Sequence, residues 1–290
     1  MSEKSELSVV IVTWNSGNEI CGCLNSVISS AGSRNIKIIV VDNNSSDNTI
    51  ELVEDIIRNN LIPIKLIIND ENKGFTYACN QAMDIYSAEN ILLLNPDARI
   101  HRDSLIKLSD KLNSNDKIGA IAPKLLNDDG SIQRSCRRFP KYSDMFFEMT
   151  LLSAIFSKSQ RFNRWKMVDF SHDKESEVEQ PMGAALMIKS SVLDKTGNFD
   201  EDFKMFFNDV DLCKRITEKG YKILFFPEAV FYHSKGVSIY KDRIRMIKTW
   251  NSDCLKYFRK HNYNLILFNL LALCLKITGI LRILYYKITK

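Results

Sequence analysis

The sequence lacks the features of several common protein classes. None of its seven cysteines forms a Cys-x-x-Cys pair, and Cys21 and Cys23 are too close for an ordinary disulfide. We therefore expect reduced thiols and a cytoplasmic location. The N-terminal residues include acidic side chains and only a short apolar run, which predicts no secretory signal peptide. No glycine pattern of the P-loop or the Rossmann dinucleotide type occurs, which argues against kinases and dehydrogenases.

The chain also carries little net charge. Its 40 basic and 35 acidic residues give +5 over 290 residues, which is too mild to indicate a nucleic-acid partner. This charge suits a phosphate-bearing substrate or an anionic membrane surface equally well. The hydrophobic fraction of 45% is ordinary for a folded protein, and the length allows one large domain with a helical appendage.

Short apolar runs rich in Val and Ile alternate with amphipathic helical patterns in the first third of the chain. Continuous runs of this kind are typical of strands buried on both faces of a parallel sheet. Repeated strand–helix–strand units predict an open α/β sheet. The predicted strands are Leu7–Thr13, Ile36–Val41, Ile64–Ile68 and Ile91–Leu94, and the helices are Glu19–Ser29, Thr49–Asn59 and Phe75–Tyr86.

The rest of the chain mixes strand and helix signals. Val210–Glu218 reads as a helix that Gly220 stops, and residues 240–290 contain no proline and follow a helical pattern. Three further buried strands are predicted: Ile118–Ala122 closed by Pro123, Ala184–Ile188, and Lys222–Phe226 ended by Pro227.

Polar residues follow four predicted strands at the point where each strand ends. Because the carboxyl ends of parallel strands meet at one edge of the sheet, where ligands of α/β proteins bind, we expect these residues to form a binding rim. They are Thr13 to Asn15, Asp42 to Ser45, Asn69 to Gly74, and Asn95 to Asp97.

Two of the residues after strands suit a divalent cation. Asp97 ends the run ILLLNPD, and its carboxylate could hold a hard cation that takes other ligands from phosphate and water. It could also cap the helix that begins near Asp103. His233, in VFYHSKG, suits a manganese-like ion or a hydrogen-bonded place in the core.

An acidic pair and a lysine mark two predicted helix starts. Asp209 and Asp211 lie in FKMFFNDVDLCKR, where one could be the general base for an acceptor hydroxyl and the other a cap or an ion-pair partner. Two ordinary helix-start acids are the alternative. Lys73 and Gly74 precede a further helix, where a positive charge and close backbone approach suit a phosphate.

Six motifs along residues 7 to 240 together resemble glycosyltransferase family 2, specifically its rhamnosyltransferase-like branch. The resemblance implies a GT-A fold, with a Rossmann-like, mostly parallel central sheet flanked by helices and a C-terminal helical extension. It also implies a metal-dependent, inverting hexosyltransferase. The motifs are SVVIVTWNSGNEICGCLNSV, IIVVDNNSSDNT, NKGFTYACNQAM, ILLLNPDARI, PMGAALMIKSSVLDKTGNFDEDF and FFNDVDLCKRITEKGYKILFFPEAVFYHSKG.

The resemblance assigns a role to each site residue. Those of the donor site are Thr13 and Asn15 in the nucleotide pocket, Asp42 at the pyrimidine ring, Asn44 near the ribose, Lys73 and Gly74 near the phosphates, and Asn95. Asp97 and His233 would hold manganese or magnesium, and Asp209 would be the catalytic base. The sequence departs from the family pattern at two positions: Asn95 replaces an Asp near the cation, and Asn208 replaces a Glu before the base.

These residues lead to a specific functional hypothesis. The protein would move a sugar, best rhamnose from dTDP-rhamnose with a UDP-sugar as alternative, to a glycan or lipid-linked glycan in cell-surface polysaccharide synthesis. Residues 1–125 would bind the nucleotide-sugar, 126–239 would form the acceptor-binding and catalytic half of the same domain, and 240–290 would associate with the membrane. An inactive, nucleotide-binding scaffold at the membrane is the alternative. A nucleotidyltransferase is disfavoured because TWNSGNEI lacks a glycine-rich basic loop.

Two stretches suggest a peripheral position on the cytoplasmic face of a membrane. Residues 137–166 have basic ends around an apolar middle, which suits either membrane contact or an acceptor-side helix. Residues 264–287 are strongly apolar but contain Asn269, Lys276 and Arg282. We favour an interfacial helix with snorkelling basic side chains over a short span, or over a helix in the core or in a homodimer interface.

Overall fold

Alternating strands and helices build the described part of the chain. The computed structural model describes residues 5–85, 88–234 and 243–288. The strands are β1 (Ser5–Thr13), β2 (Ile36–Asp42), β3 (Ile64–Ile68), β4 (Ala88–Leu94), β5 (Ala98–Ile100), β6 (Ile118–Leu126), β7 (Ile132–Gln133), β8 (Cys136–Arg137), β9 (Ser176–Glu177), β10 (Gln180–Pro181), β11 (Ala185–Lys189) and β12 (Lys222–His233). The helices are α1 (Ile20–Ser30), α2 (Thr49–Arg58), α3 (Phe75–Met83), α4 (Ser104–Asn113), α5 (Tyr142–Met149), α6 (Leu152–Ile155), α7 (Ser190–Thr196), α8 (Asn208–Glu218), α9 (Arg243–His261) and α10 (Leu265–Ile288).

A mixed, mostly parallel sheet forms the centre of the molecule. Its strand order is β3-β2-β1-β4-β11-β6-β12-β5, with β7 and β9 paired at its side. Neighbours β1, β2, β3 and β4 run parallel, as do β6 and β12, whereas β11 and β5 run antiparallel to their neighbours. The prediction of a mostly parallel α/β sheet is confirmed, and β1, β2 and β4 end at the same edge.

Helices cover both faces of this sheet because side chains along each strand alternate between two cores. In β1, Val9 and Ile11 pack with α1, α2 and α4, whereas Val10 and Val12 pack with α3, α7 and α8. All four side chains are buried, which explains why the strand reads as one continuous apolar run.

Proline did not end two strands as predicted. Strand β6 continues through Pro123 to Leu126, and β12 continues through Pro227 to His233. Pro123 lies beyond the residues of β6 that pair with β11, and Pro227 falls in a register shift of the β6–β12 ladder between Phe226 and Val230. A missing N–H is tolerated at such positions. Helix α3 is shorter than predicted, and Tyr86 lies outside the described residues.

The C-terminal helices form a third core with the segment before α8. Buried side chains of α9 and α10, among them Tyr257, Phe258 and Leu271, pack with Phe207 and Val210. The predicted C-terminal helical extension is confirmed. In the described part of the chain, α10 is the helix long and apolar enough to cross a membrane, with a mean hydropathy of 1.9 and 22% of that stretch buried. All seven cysteines are free thiols.

Candidate active site

The loops after β1 and β2 are joined by a hydrogen-bond network around Asp42. This buried carboxylate accepts hydrogen bonds from Thr13 Oγ1 at 2.9 Å and from the Ser45 backbone N–H at 2.8 Å. Ser45 Oγ in turn accepts the Asn15 backbone N–H at 2.8 Å. Thr13 and Asp42 are direct partners in the parallel ladder, so the register of β1 and β2 positions this network at the strand ends.

Asn15 and Asn44 both adopt left-handed backbone conformations, with φ of 52° and 63°. Asn tolerates this region better than most residues, so the two loops favour Asn for local geometry. The Asn15 side-chain oxygen also accepts the Ser46 backbone N–H at 2.7 Å, which holds the first loop against the second.

Gly74 lies where a side chain would not fit. Its φ is 93°, and a Cβ there would come within 3.3 Å of the Lys204 carbonyl oxygen. Its own carbonyl accepts a hydrogen bond from Asn43 Nδ2 at 3.1 Å, just before α3 begins. The neighbouring Lys73 ammonium lies 5.1 Å from the centre of the Tyr77 ring. This loop therefore contacts both the β2 end and the segment that leads to Asp209.

The tautomer of His233 follows from its contacts with Gln133. Gln133 Nε2 lies 3.1 Å from the His233 carbonyl oxygen, which only accepts hydrogen bonds, so the amide oxygen Oε1 is the atom 2.7 Å from His233 Nδ1. In the neutral ring Nδ1 therefore carries the proton, and Nε2 presents a lone pair. This is the arrangement that a metal-ligating histidine needs.

Asp97 and His233 form an acceptor pair that suits a cation. Asp97 Oδ1 lies 3.2 Å from His233 Nε2, and it is buried without a hydrogen-bond donor among the described residues. A hard divalent cation would satisfy both atoms. No group of three or more His, Cys, Asp or Glu side chains that could hold a metal occurs within residues 5–85, 88–234 and 243–288, so a cation held by Asp97 and His233 would need most of its ligands from elsewhere.

Asn95 lies beside this pair. Its Nδ2 is 3.3 Å from His233 Nε2, and its backbone N–H donates to the Ala184 carbonyl at 2.9 Å. The amide therefore donates toward the His233 Nε2 lone pair that a cation would use. In the pattern that the sequence resembles, position 95 carries a second carboxylate instead.

Asp209 is held at the start of α8 by three donors. Its Oδ2 accepts the Gly183 backbone N–H at 3.0 Å and Gln180 Nε2 at 3.1 Å, and its Oδ1 accepts the Val210 backbone N–H at 2.8 Å. Burial raises the pKa of this carboxyl above its ordinary value, although the backbone and Gln180 donors oppose the shift. A raised pKa moves a carboxylate closer to the range in which it accepts protons effectively.

One short loop connects Asp209 to the acceptor pair of Asp97 and His233. Gly183 donates to Asp209, and the next residue, Ala184, accepts from Asn95, two residues before Asp97. A Cβ at position 183 would lie 3.3 Å from Asp209 Cβ. Glycine, which has no side chain, therefore allows the backbone to come close enough to donate to the carboxylate. The structure thus links Asp209 and the acceptor pair of Asp97 and His233 through the adjacent loop residues Gly183 and Ala184.

The contacts of the Asn208 side chain account for an amide at this position, where the resemblance leads us to expect Glu. Its Nδ2 donates to Thr76 Oγ1 at 3.0 Å, and its Oδ1 accepts the Asp209 backbone N–H at 2.7 Å. The side chain therefore ties the start of α8, which bears Asp209, to the start of α3, close to Lys73. Asp211 has a separate role: it is fully buried and pairs with Arg215, Lys260 and His261.

Sequence reasoning missed three residues of this site. Gln133, Gln180 and Gly183 contact His233 or Asp209 directly. Gly183 falls in the motif PMGAALMIK, and its small size was the available signal. Gln133 and Gln180 lie 100 and 29 residues from their partners, so neither spacing nor periodicity connects them to the site.

Comparison with known proteins adds a family match and two groups of relatives. The family model described as glycosyl transferase family 2 matches residues 8–174. N-acetylglucosaminyl-diphospho-decaprenol L-rhamnosyltransferase of Mycobacterium tuberculosis is 25% identical over 251 residues, which cover 81% of this chain and 78% of that one.

Solved structures share the fold at low identity. The mannosyltransferase PcManGT from Pyrobaculum calidifontis, in complex with GDP-Man and Mn2+, aligns with a TM-score of 0.61 at 17% identity and covers 96% of this chain and 74% of that one. S. aureus TarS 1–349 with UDP-GlcNAc aligns at 0.60 and 16% identity, covering 92% and 70%. The predicted GT-A fold is confirmed.

Proposed function

The chain belongs to glycosyl transferase family 2, and we propose that it transfers a sugar, with inversion, from a nucleotide diphosphate donor to a glycan hydroxyl. The observation that carries this proposal is that one loop, at Gly183 and Ala184, contacts both Asp209 and the segment of Asp97. Gly183 holds the carboxylate of Asp209, while Ala184 holds the segment that bears Asp97. A base and a cation-binding pair held by the same loop suit a displacement in which the nucleophile needs a proton acceptor and the leaving group needs positive charge.

Asp97 and His233 would hold the divalent cation, manganese or magnesium. A cation bound there supplies positive charge that neutralises the departing diphosphate. Gln133 keeps His233 in the tautomer that ligates. Asn95 brings no charge, so we expect firm metal binding only when the donor diphosphate adds its oxygens.

Asp209 would remove the proton from the acceptor hydroxyl. Its hydrogen bonds from Gly183 and Gln180 fix the carboxylate, and burial raises its pKa toward that of a useful base. Attack from the face opposite the departing diphosphate would invert the configuration at the sugar.

The donor would lie across the ends of β1, β2 and β3. The hydrogen-bonded residues Thr13, Asp42 and Asn15 would bind a pyrimidine nucleoside, and Asn44 would lie beside the ribose. Lys73 and Gly74 at the start of α3 would meet the phosphates. We propose dTDP-rhamnose as donor, since the relative from M. tuberculosis is a rhamnosyltransferase.

The acceptor would be a lipid-linked glycan at the cytoplasmic face of the cell membrane, in the synthesis of a surface polysaccharide. The name of the same relative supports this, because it includes a diphospho-decaprenol carrier. The apolar α10, mostly unburied, supports a peripheral membrane position.

Asp209→Asn tests the assignment of the base. The amide cannot accept a proton, so we expect turnover to fall at least about a thousandfold, the order of general-base catalysis. Nucleotide-sugar affinity, measured by calorimetry with Mn2+, should stay within about threefold, because the Asp209 carboxylate is hydrogen-bonded to Gln180, Gly183 and Val210 and not to the proposed nucleotide-binding residues among those described. Turnover at the wild-type rate in this variant would refute the role.

A donor panel separates the enzyme from an inactive scaffold. Wild-type protein with Mn2+ or Mg2+ should release free nucleotide from one of dTDP-rhamnose, UDP-glucose or UDP-N-acetylglucosamine. Binding without release from every donor, with membrane acceptors present, would favour the scaffold. The structural role of Asn208 weakens that alternative, because its amide bridges Thr76 and Asp209.

A further inference from the structure

An apolar groove lies between α5 and α10. Its volume is about 490 Å³, within the roughly 300–1,000 Å³ of small-molecule sites. Phe146 and Phe147 form one wall, Leu270 and Leu271 the other, and Lys141 lies at its rim. None of these residues belongs to the site described above.

A short stretch of chain joins this groove to Asp209. Arg137 in β8 pairs with Gln180 in β10, and Gln180 donates to Asp209. Lys141 follows Arg137 by four residues, so their Cα atoms are at most about 14 Å apart even in a fully extended chain. A ligand of modest length can therefore reach from the base to the groove.

Arg137 carries a charge without a carboxylate partner. Its Nη1 donates to the carbonyl oxygens of Arg134 and Cys136, and it forms no ion pair within the described parts of the chain. Burial and the nearby Arg134 lower its pKa, whereas the charges of Glu148 in α5 and of Asp209 oppose this. The β8–β10 ladder sets Arg137 opposite Gln180, which donates to Asp209, and Lys141, four residues farther along, lines the groove. Guanidinium groups in this state bind phosphate oxygens well.

The groove opens onto an apolar surface of α10. Leu270 lines the groove and is 50% exposed, and Leu273, Ile277 and Ile280, outside the groove, are each at least half exposed. A hydrocarbon chain that leaves a bilayer would enter such a groove without crossing water. A water-soluble glycan or a polar peptide would leave its apolar walls without apolar contacts.

We propose that this groove binds the hydrocarbon chain of a lipid-diphosphate-linked acceptor and that Arg137 binds its diphosphate, which presents the acceptor sugar to Asp209. This inference rests on the proposed function and names the acceptor subsite that serves it. Phe146, Phe147 and Leu270 would contact the chain, and Lys141 would add positive charge between chain and diphosphate.

Leu270 and Leu273 provide a matched test. Both are exposed leucines of α10, but only Leu270 lines the groove. The full chain should bind farnesyl diphosphate in calorimetry, and Leu270→Glu should weaken this binding at least tenfold. Leu273→Glu should leave it unchanged, and both variants should keep wild-type nucleotide affinity. Equal farnesyl diphosphate affinity in wild type and Leu270→Glu would overturn the proposal.

Arg137→Met tests the diphosphate contact separately. Wild type should prefer farnesyl diphosphate over farnesol at least tenfold, and the variant should lose this preference while it retains farnesol affinity. An unchanged preference would remove Arg137 from the proposal.

Vesicles of phosphatidylglycerol distinguish a specific subsite from general membrane contact. Leu270→Glu and Leu273→Glu should bind these vesicles equally in flotation; if Leu270→Glu alone loses vesicle binding, the groove is a membrane contact and the proposal fails. The proposed function fails independently, through an active Asp209→Asn or through absence of nucleotide release, and neither result depends on the groove.

Discussion

The contact between Gln133 and His233 shows how one neutral side chain decides what another can bind. Gln133 Nε2 donates to Asn127 Oδ1 at 2.8 Å and to the His233 carbonyl, so Oε1 is the Gln133 atom that accepts from His233 Nδ1. Because that contact places the ring proton on Nδ1, the opposite nitrogen, Nε2, carries the lone pair that a cation would use.

Gln133→Leu should weaken metal binding. The leucine keeps the volume but cannot accept the Nδ1 proton, so the ring loses its fixed tautomer. We expect Mn2+ affinity in the presence of UDP to fall about 10- to 100-fold, the usual effect of such partners. Electron paramagnetic resonance of free and bound Mn2+ measures this directly.

Gln133→Glu is the comparison: it retains an oxygen for His233 Nδ1 but loses the donors to Asn127 and the His233 carbonyl, so its metal affinity should lie between those of wild type and Gln133→Leu. UDP affinity without metal should be the same in all three proteins. Wild-type Mn2+ affinity in a correctly folded Gln133→Leu would contradict the role.

At the scale of elements, Asp211 joins α8 to α9. Its Oδ1 accepts from His261 and pairs with Lys260, each at 2.7 Å, and its Oδ2 accepts from Arg215 at 2.8 Å. Burial acts to raise the pKa of Asp211, but the hydrogen bonds from His261 and Lys260 and the charge of Arg215 outweigh it and lower the pKa to about 2. The ionised form therefore stabilises the junction of α8 with α9.

Asp211→Asn should destabilise the fold in a pH-dependent way. At pH 7 the variant leaves three cationic or donor groups without their carboxylate, and we expect the free energy of unfolding to fall by about 3 kcal/mol. A lowered folded-state pKa gives stability that is present above the unfolded value near 4 and is lost as the pH falls toward 2. The difference between wild type and variant should therefore shrink below about pH 4.

Urea unfolding between pH 7 and pH 3 measures that difference. Asp202→Asn, an exposed carboxyl in the turn before α8, should change stability little at any pH. A constant difference between Asp211→Asn and wild type across this range would show that the charge of Asp211 is not the source of its effect.

At the scale of the whole molecule, α10 serves two surfaces. One side packs with Phe207 and Val210, which flank the proposed base, through buried Phe268, Leu271 and Leu275. The other side is apolar and exposed. Contact of such a surface with water is unfavourable, which indicates that a membrane or a partner covers it. Removing the whole helix would therefore also disturb the site, and point changes on the exposed side are the cleaner probe.

The double variant Ile277→Glu with Ile280→Glu should reduce membrane binding. Both side chains are about half exposed, so the charges disturb the fold little but oppose insertion into an anionic bilayer. In flotation with phosphatidylglycerol vesicles we expect most of the variant in the soluble fraction. Leu61→Glu, on a fully exposed leucine outside α10, should float like wild type. Equal flotation of all three proteins would show that this face does not bind the membrane.

The sequence by itself determined the layers of the fold and the chemistry of the motif residues. Strands buried on both faces must be apolar throughout, so β1, β2 and β4 are visible in the residue pattern. Parallel strands bring their ends together, so Thr13, Asp42 and Asn95 were predicted to share one edge. Local rules failed at Pro123 and Pro227, because whether a strand needs an N–H depends on its neighbours.

Only the tertiary structure decided which distant residues meet. Gln133 reaches His233 because β7 pairs with β6 beside β12, and Gly183 reaches Asp209 because β11 runs antiparallel between β4 and β6. The groove between α5 and α10 likewise exists only after both helices pack around the same core. Such contacts depend on strand order and helix packing, which residue periodicity does not encode, because periodicity reports the face that a residue occupies and not the partner that covers it.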